Sequence, residues 1–221
     1  MKDRLTPNRT VHHLSSLNNT PCAVILPILT IGGEEHILFE VRSSKLAWQP
    51  RDICFPGGRI EESDASALDA AIRETMEELG VDRSDIDILG PLDYIESMAG
   101  VTVWPFAARI HTQDFTLSHG EIAEIFTAPI SYLRSVRPEE KHMEIATRPG
   151  PDFPEDVLYN SFRGDRSWKR RKTYSVYIYR YKKWPIWGIT AHILRHFLSL
   201  YQAGEDAMET HGDQREGAAG F

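Results

Sequence analysis

Three glutamates lie close together in the stretch FPGGRIEESDASALDAAIRETMEELGV, residues 55–81. Glu77 and Glu78 follow Glu74 by three and four residues, so on a helix the three carboxylates would be neighbours on one face. Because like charges at this spacing repel each other, the cluster is expected to hold a hard cation between its oxygens. Mg²⁺ fits, since it binds one or two carboxylates, keeps several waters and completes its shell with phosphates. The pattern predicts a Mg²⁺ or Mn²⁺ site for phosphate chemistry; the alternative is a solvated acidic helix face.

The residues around these glutamates predict a turn followed by a helix. Apolar residues recur at helical spacing: Leu68, Ala71, Ile72, Met76 and Leu79. Ser66 with Asp69 resembles a capping box, and Gly80 stands where a left-handed cap would end the helix. Arg73 lies four residues from both Asp69 and Glu77, and we expect it to hold a carboxylate in orientation.

The order of these residues resembles a known signature. The run RETMEELGV, residues 73–81, is similar to the second half of the Nudix box, the motif of hydrolases that cleave a nucleoside diphosphate linked to another moiety. The first half departs from the box at two points. After Gly58 and five intervening residues the box has Glu, and this chain has Asp64; between Asp64 and Arg73 there are eight residues instead of seven. This one-residue expansion, with Phe-Pro-Gly-Gly in front, resembles the coenzyme A diphosphatase branch of the family.

The same branch carries a pattern upstream of the box, of the form LLTxRS-x3-R-x3-G-x3-FPGG. Arg42 and Ser43 match this pattern, whereas Ala47 stands at the second arginine and Arg51 stands at the glycine. Arg51 or Lys45 is therefore expected to supply the cation that Ala47 lacks.

The resemblance implies an α/β fold, the Nudix α/β/α sandwich with a mixed β-sheet. It also implies Mg²⁺- or Mn²⁺-dependent hydrolysis of a nucleoside diphosphate derivative. The expected substrate is coenzyme A or an acyl-CoA, cleaved to 3′,5′-ADP and 4′-phosphopantetheine. ADP-ribose or another nucleoside diphosphate derivative is the alternative within the family. A catalytically silent nucleotide-binding module is the alternative from another class, which three mutually repelling carboxylates disfavour.

The resemblance further assigns roles to individual acidic and basic residues. Glu74, Glu77 and Glu78 would bind the metal, and Arg73 would support catalysis. The proton of the attacking water would be accepted by Glu78 or by Glu121, because hydrolysis by water needs a base near the metal. For Glu121 the alternative is a plain surface glutamate.

The basic and aromatic residues before the helix predict contacts with the substrate. Cations suit phosphate oxygens, and an indole suits stacking on adenine or packing on a pantetheine-like chain. Two glycines would let the backbone approach the metal or the phosphates, since a side chain there would block it. The predicted substrate-binding residues are Arg42, Lys45, Trp48, Arg51, Phe55, Gly57 and Gly58.

The pattern along the chain predicts one domain with extensions. Residues 1–20 are expected to be an N-terminal arm, 21–202 the Nudix domain and 203–221 a disordered tail. Residues 138–172 have few periodic apolar positions, so we expect an inserted excursion or lid there. The basic block 163–172 could contact a phosphate, RNA or only water.

Apolar and alternating runs predict the remaining elements. Two hairpins are expected, 23–31 with 36–42 and 86–97 with 101–110, and a strand over 173–181. A terminal helix is expected to open at 186–190 and to bury Ile189, Ile193, Phe197 and Leu200.

Composition limits the class of protein. A length of 221 residues with 41% hydrophobic and 26% charged residues is typical of a globular protein. The formal charge of −7 argues against general nucleic-acid binding, and no apolar run suggests a signal peptide or a membrane span. Cys22 and Cys54 outline no disulfide framework. We expect a cytoplasmic enzyme that binds a small-molecule nucleotide and no membrane; a homodimer is left open.

Overall fold

The computed structural model describes residues 17–159 and 164–201. The predicted tail, and all but the last four residues of the predicted arm, lie outside the described residues. The strands are β1 (Thr20–Ile31), β2 (Glu34–Arg42), β3 (Ile53–Cys54), β4 (Gly57–Arg59), β5 (Ile86–Pro91), β6 (Ile95–Glu96), β7 (Val101–Ile110), β8 (Ile122–Pro129), β9 (Glu139–Thr147), β10 (Lys169–Tyr181) and β11 (Trp184–Trp187). The helices are α1 (Ala67–Leu79), α2 (Ile130–Ser135) and α3 (188–201).

Eight of the strands form one mixed sheet with β1 at its centre. The path is β3-β2-β1-β7-β5, with β4 paired to β1, β6 to β7 and β8 to β2. β1 is parallel to β7, with Thr20 opposite Val101, and antiparallel to β2, with Ile31 opposite Glu34. The β1 sequence TPCAVILPILTI is almost continuously apolar because both faces of the sheet are covered. The first predicted hairpin is confirmed.

Two apolar layers cover the two faces of this sheet. Side chains of β1 alternate between them, because successive residues of a strand point to opposite faces. Ile25 and Leu29 pack in the layer that contains α1, whereas Leu26 and Ile28 pack in the layer that contains α3. The predicted α/β/α sandwich with a mixed sheet is therefore confirmed.

The second predicted hairpin is present, but its first strand is divided. β5 and β6 both pair antiparallel with β7, while residues 92–94 between them leave the ladder. The register shifts between Ile88 and Gly90, which marks a bulge. Pro91 then ends β5, because proline has no N–H to donate to a ladder. The strand predicted over 86–97 is therefore present as two shorter strands, β5 and β6.

The segment 138–172, predicted as an inserted excursion or lid, contains β9 and the start of β10. β9 occupies most of its first part, and β10 begins four residues before the predicted start at 173. Together with β11 they form a three-stranded antiparallel sheet. The sequence analysis assigned no strand to β9 because β9 is exposed along almost its whole length, so no apolar alternation marks it. A role as a lid stays a prediction.

α3 begins at residue 188, because the residues before it belong to β11. Ile193 and Phe197 are buried as predicted. Leu200 is 48% exposed, so its predicted burial was wrong. The helical period instead places Tyr201 on the buried stripe with Phe197. Among the helices of the described segments, none is long and apolar enough to cross a membrane.

A carboxylate at the start of β2 joins three elements. Nη2 of Arg109 on β7 donates to Oε1 of Glu35 at 2.8 Å, and the Tyr201 hydroxyl on α3 donates to Oε2 at 2.7 Å. Burial tends to raise the pKa of Glu35, but these hydrogen bonds and the Arg109 charge outweigh it and lower the pKa. The ionised form of Glu35 therefore stabilises the fold.

We expect Glu35→Gln to lower the free energy of unfolding at pH 7 by about 1 kcal/mol, because a partly exposed ion pair is lost. Since the pKa of Glu35 is lowered by folding, its contribution is complete above the pKa of the unfolded chain and disappears as the pH falls through the folded-state value. Wild type and variant should therefore converge at a pH below the folded-state pKa of Glu35. Urea unfolding at both pH values measures this, and an equal gap at both would contradict the role.

Candidate active site

α1 carries the three predicted glutamates, and both of its ends are capped as predicted. The Ser66 hydroxyl accepts a hydrogen bond from the Asp69 amide at 3.2 Å. Gly80 ends the helix with φ +66°, and its N–H donates to the Met76 carbonyl at 2.9 Å. The buried face packs against β1 through Ala70, Ala71, Ile72 and Leu79. These contacts fix the direction in which the glutamates project.

Glu78 is the deepest of the three glutamates and is only 3% exposed. Its Oε2 accepts a hydrogen bond from the Gly57 amide of β4 at 2.8 Å. Burial raises the pKa of Glu78 to about 8; the Gly57 amide opposes this rise, and the charges of Glu74 and Glu121 add to it. A carboxylate that titrates near neutral pH suits the predicted role of proton acceptor.

A second buried carboxylate, Glu40 of β2, interacts with Glu78 and was missed by the sequence analysis. Glu40 is 0% exposed, and its Oε1 has no hydrogen-bond partner. Burial, followed by the charge of Glu78, raises the pKa of Glu40 well above its usual value. The available signal was a single acidic residue inside the apolar run ILFEV.

Cys54 of β3 lies beside Glu40, with 4.0 Å between the Cys54 Sγ and the Glu40 Oε2. Burial, and then the charges of Glu40 and Glu78, raise the pKa of the Cys54 thiol well above its usual value. The thiolate is therefore disfavoured, and Cys54 does not suit the role of a nucleophile.

Arg73 holds the acidic residues on the more exposed side of the site. Its Nε and Nη2 donate to the two carboxylate oxygens of Asp64, both at 3.0 Å, and its Nη1 donates to Glu74 at 3.0 Å. The predicted contact with Glu77 is present at 3.4 Å. The other predicted partner, Asp69, belongs to the helix cap instead. Asp64, the residue that departs from the box, therefore anchors Arg73.

The structure separates the three predicted metal-binding glutamates. Glu78 is buried, Glu74 is partly buried, and the Glu77 side chain is 60% exposed. Nη1 of Arg73 lies between Glu74 and Glu77 and forms ion pairs with both, at 3.0 and 3.4 Å, whereas Glu78 takes no part in these pairs. Within residues 17–159 and 164–201, no three His, Cys, Asp or Glu side chains form a ready metal cluster. A shared role of all three in holding one ion stays a prediction.

Glu121 lies directly before β8 and next to the buried carboxylates. The turn that carries it is held by a hydrogen bond from the Ser118 amide to the Glu78 carbonyl at 3.0 Å. The Ser43 amide donates to the Glu121 carbonyl at 2.7 Å. The charge of the exposed Glu121 side chain contributes to the raised pKa of Glu78. The structure therefore brings both predicted proton acceptors to one site.

The two glycines of β4 allow close packing. Gly57 has φ +148°, and a Cβ there would overlap the backbone of Ala23 in β1. A Cβ at Gly58 would overlap the carboxyl group of Glu74. The two glycines thus let the β4 backbone lie close to β1 and to Glu74 of α1. The predicted approach of this backbone to a metal or a phosphate stays a prediction.

A cleft of about 590 Å³ opens beside the carboxylates. Arg42 and Cys54 form part of its wall at the end near Glu40. The Nε of Arg42 is buried without a hydrogen-bond partner, which leaves a cation for an incoming anion. Other parts of the wall come from the turn after β6, from β9 and β10, and from β11, including Met98, Met143, Ile145, Lys172 and Trp187.

The other predicted substrate contacts lie elsewhere. Lys45, Trp48 and Arg51 are exposed in the loop between β2 and β3 and do not line the cleft. Arg51 has φ +65°, a left-handed conformation that favours glycine, which explains the glycine of the upstream pattern at this position. Phe55 is 3% exposed and stacks on Phe39 with 5.2 Å between ring centroids, so a direct contact of Phe55 with substrate was predicted wrongly.

The basic block is largely engaged within the protein. Lys169 pairs with Asp165 at 3.1 Å, and Arg170 pairs with Glu144 at 2.8 Å. Arg163 lies outside the described residues. Lys172 is the cation of this block that lines the cleft.

Comparison with known protein families matches a NUDIX domain over residues 20–146, more than half of the chain. The chain belongs to the Nudix family.

Relatives of this Nudix domain include an uncharacterized Nudix hydrolase, NudL, of Citrobacter koseri, 28% identical over 81% of this chain and 82% of the relative. The mouse peroxisomal coenzyme A diphosphatase NUDT7 is 28% identical over 69% of this chain and 64% of the mouse protein. Among solved structures, this chain is similar to a C. elegans Ap4A hydrolase binary complex, with a TM-score of 0.44 and 20% sequence identity. The match covers 50% of this chain and 80% of the C. elegans chain.

Membership of the Nudix family makes this protein a hydrolase of nucleoside diphosphate derivatives that requires a divalent metal ion. The residues present fit such an ion. Glu40, Glu74, Glu78 and Glu121 offer only oxygen atoms, the ligands that hard divalent cations prefer. The buried, unpartnered Oε1 of Glu40 is one oxygen that a cation would satisfy.

We expect Gly57→Ala and Gly58→Ala to separate folding from activity. At Gly57 the new Cβ meets backbone and the conformation is left-handed, so the free energy of unfolding should fall by about 2 kcal/mol or more. At Gly58 the new Cβ meets only the end of the flexible Glu74 side chain, so stability should change little. Displacement of Glu74 should nevertheless lower the hydrolase rate on the order of 100-fold.

Thermal unfolding and hydrolysis rates of the two variants, measured side by side, check both expectations. A Gly58→Ala protein with full activity would show that the position of the Glu74 carboxyl is unimportant for the reaction.

Proposed function

We propose that this Nudix hydrolase cleaves coenzyme A or an acyl-CoA to 3′,5′-ADP and 4′-phosphopantetheine, with Mg²⁺ or Mn²⁺ as its metal. The observation that carries the proposal is the cleft that begins at Arg42 and Cys54, the latter in contact with Glu40, and that is lined by both cationic and apolar side chains. Coenzyme A carries both kinds of group, because its phosphates are anionic and its pantetheine arm is long and largely uncharged.

The composition of the cleft wall suits such a substrate. Five of the large apolar side chains that are exposed on the surface line this one cleft: Leu17, Met98, Met143, Tyr174 and Trp187. Methionine side chains adapt to flexible apolar groups, and an indole packs on them over a large area. Lys172 adds a cation for a phosphate. A volume of about 590 Å³ lies within the range of small-molecule sites.

Two further observations support the coenzyme A assignment. The mouse relative is a coenzyme A diphosphatase by its name, and the matched region covers 69% of this chain. The one-residue expansion of the box, which resembles that branch, places Asp64 where it anchors Arg73 through two hydrogen bonds.

The residues of the site would divide the work of hydrolysis as follows. Glu78 or Glu121 would accept the proton of the attacking water, because both lie at the site and Glu78 titrates near neutral pH. Arg42 would bind a phosphate oxygen, and Arg73 would hold Glu74 in position. A bound divalent ion would neutralise the phosphate oxygens and lower the pKa of a water molecule.

Product analysis tests the proposal. The protein is incubated with coenzyme A, an acyl-CoA, ADP-ribose and a diadenosine polyphosphate, each with Mg²⁺ and with a chelator, and the products are separated by chromatography. We expect Mg²⁺-dependent release of 3′,5′-ADP. Cleavage of ADP-ribose alone would favour the alternative substrate, and nucleotide binding without any product would favour a silent module.

We expect Glu78→Gln to lower kcat on the order of 100-fold or more, since the amide cannot accept a proton but keeps the size of the side chain. Glu121→Gln tests the second candidate in the same way, and the larger loss identifies the base. Glu124→Gln is the matched control, because Glu124 pairs with Lys183 on the surface at 3.6 Å. Unchanged rates in both Glu78→Gln and Glu121→Gln would remove these roles.

Lys172→Ala tests whether the substrate occupies the cleft. Loss of one partly screened contact to a phosphate should raise KM for coenzyme A roughly fivefold and leave kcat unchanged. Lys141→Ala is the control, because Lys141 pairs with Glu139 at 3.6 Å and does not line the cleft. Equal KM values for Lys172→Ala and wild type would place the substrate elsewhere.

A further inference from the structure

Glu40 presents an energetic problem that the predicted residues of the box do not explain. Glu40 lies on β2 between Phe39 and Val41, which are both buried in the apolar layer that contains α3, and Glu40 itself is 0% exposed. Burying a carboxylate away from water is costly unless charge and hydrogen bonds compensate it. A glutamate at this position is therefore expected to have a reason beyond packing.

The described surroundings of Glu40 do not provide that compensation. Oε1 has no side-chain or backbone donor, and Oε2 has the weak donor Sγ of Cys54 at 4.0 Å. The other group within hydrogen-bonding range of Glu40 is the carboxyl of Glu78, which raises the pKa of Glu40 and therefore does not stabilise its charge. Within residues 17–159 and 164–201, no cationic side chain forms a salt bridge with Glu40 at 4.0 Å or less. The positive charge of Arg42 lowers the pKa of Glu40, but it acts without a direct ion pair.

The charged groups around Glu40 make the problem larger. Glu78 interacts with it closely, and Glu121 adds a third negative charge. Three carboxylates in one partly dry site repel each other, and this repulsion is relieved when a divalent cation is bound. Oxygen ligands of this kind are also what Mg²⁺ and Mn²⁺ prefer.

A purely structural explanation is weaker. A structural buried carboxylate normally has its oxygens satisfied by donors, as the two oxygens of Glu35 are by Arg109 and Tyr201. Glu40 lacks such donors, although its side chain is held rigidly in a central strand.

We propose that Glu40 is an additional carboxylate of the divalent-cation site, supplied by β2 from outside the Nudix box. It lies behind Glu78 and adds negative charge at the buried end of the site, so that the cation is held by residues of both β2 and α1. The inference rests on the metal dependence of the proposed function and does not depend on which nucleotide is cleaved.

The test uses Glu40→Gln in the full-length protein, with Mn²⁺ as the probe. Free Mn²⁺ is counted by electron paramagnetic resonance, which gives the Kd, and thermal unfolding is recorded with and without the ion. We expect the Kd for Mn²⁺ to rise at least about tenfold, as is typical when a supporting group of a metal site is removed. Without metal, the Tm of Glu40→Gln should be equal to or higher than that of wild type, because the amide keeps the size of the side chain and removes the repulsion between Glu40 and Glu78.

Two control variants keep the test decisive. Glu40→Asp retains the charge on a shorter side chain, so its Kd should lie between those of wild type and Glu40→Gln. Glu124→Gln, on the neighbouring strand β8 opposite Val41, should bind Mn²⁺ like wild type. If Glu40→Gln does not fold, a wild-type Kd in Glu40→Asp together with the lost fold would indicate a structural role and overturn the proposal.

The remaining outcomes are also distinguishable. An unchanged Kd in a folded Glu40→Gln protein would overturn this inference and leave the proposed hydrolysis standing. Failure of wild type itself to bind Mn²⁺ would overturn both, because the proposed function requires the metal.

Discussion

The hydrogen bond from the Gly57 amide to the Glu78 carboxylate joins the turn, the sheet and the helix of this Nudix domain. β4 can donate it only because Gly57 has no side chain to collide with β1. α1 can accept it only because its apolar face is packed against β1. The same contact places a carboxylate in a nearly dry site, where electrostatic interactions are stronger than in water. The position of the other acidic residues is set relative to this pair.

Negative charge is distributed over the site in two different ways. On the exposed side, Arg73 compensates Glu74 and Glu77, and Asp64 fixes the arginine through both of its oxygens. On the buried side, Glu40 and Glu78 have the Cys54 thiol, the Gly57 amide and the longer-range charge of Arg42. The two sides thus differ in their partners, since an arginine is in direct contact with the exposed carboxylates and no cationic side chain of the described residues pairs directly with the buried ones. The cleft opens beside the second side.

Much of this arrangement could be predicted from local patterns. The helix of the box, its serine and glycine caps and the hairpin of β1 with β2 follow from spacing and turn chemistry, which act over a few residues. β9 could not be predicted in this way, because it is exposed on both faces and is held by pairing with β10. The paired residues are distant in sequence, since Thr147 of β9 lies opposite Lys169 of β10, twenty-two residues later. Phe55 was misassigned for a related reason, since an aromatic residue near a motif can equally well pack on a distant partner such as Phe39.

By itself, the sequence determined the family, the sandwich and the identity of the acidic helix, because a motif and a hydrophobic period are properties of neighbouring residues. Only the tertiary structure decided which carboxylates share a buried site. Glu40 and Glu78 are 38 residues apart in the sequence and meet because β2 and α1 are both packed against β1. Burial and the partners of each oxygen depend on this packing, and so the difference between Glu77, which is exposed and paired with Arg73, and Glu40, which is buried with an unpartnered oxygen, exists only in the folded chain.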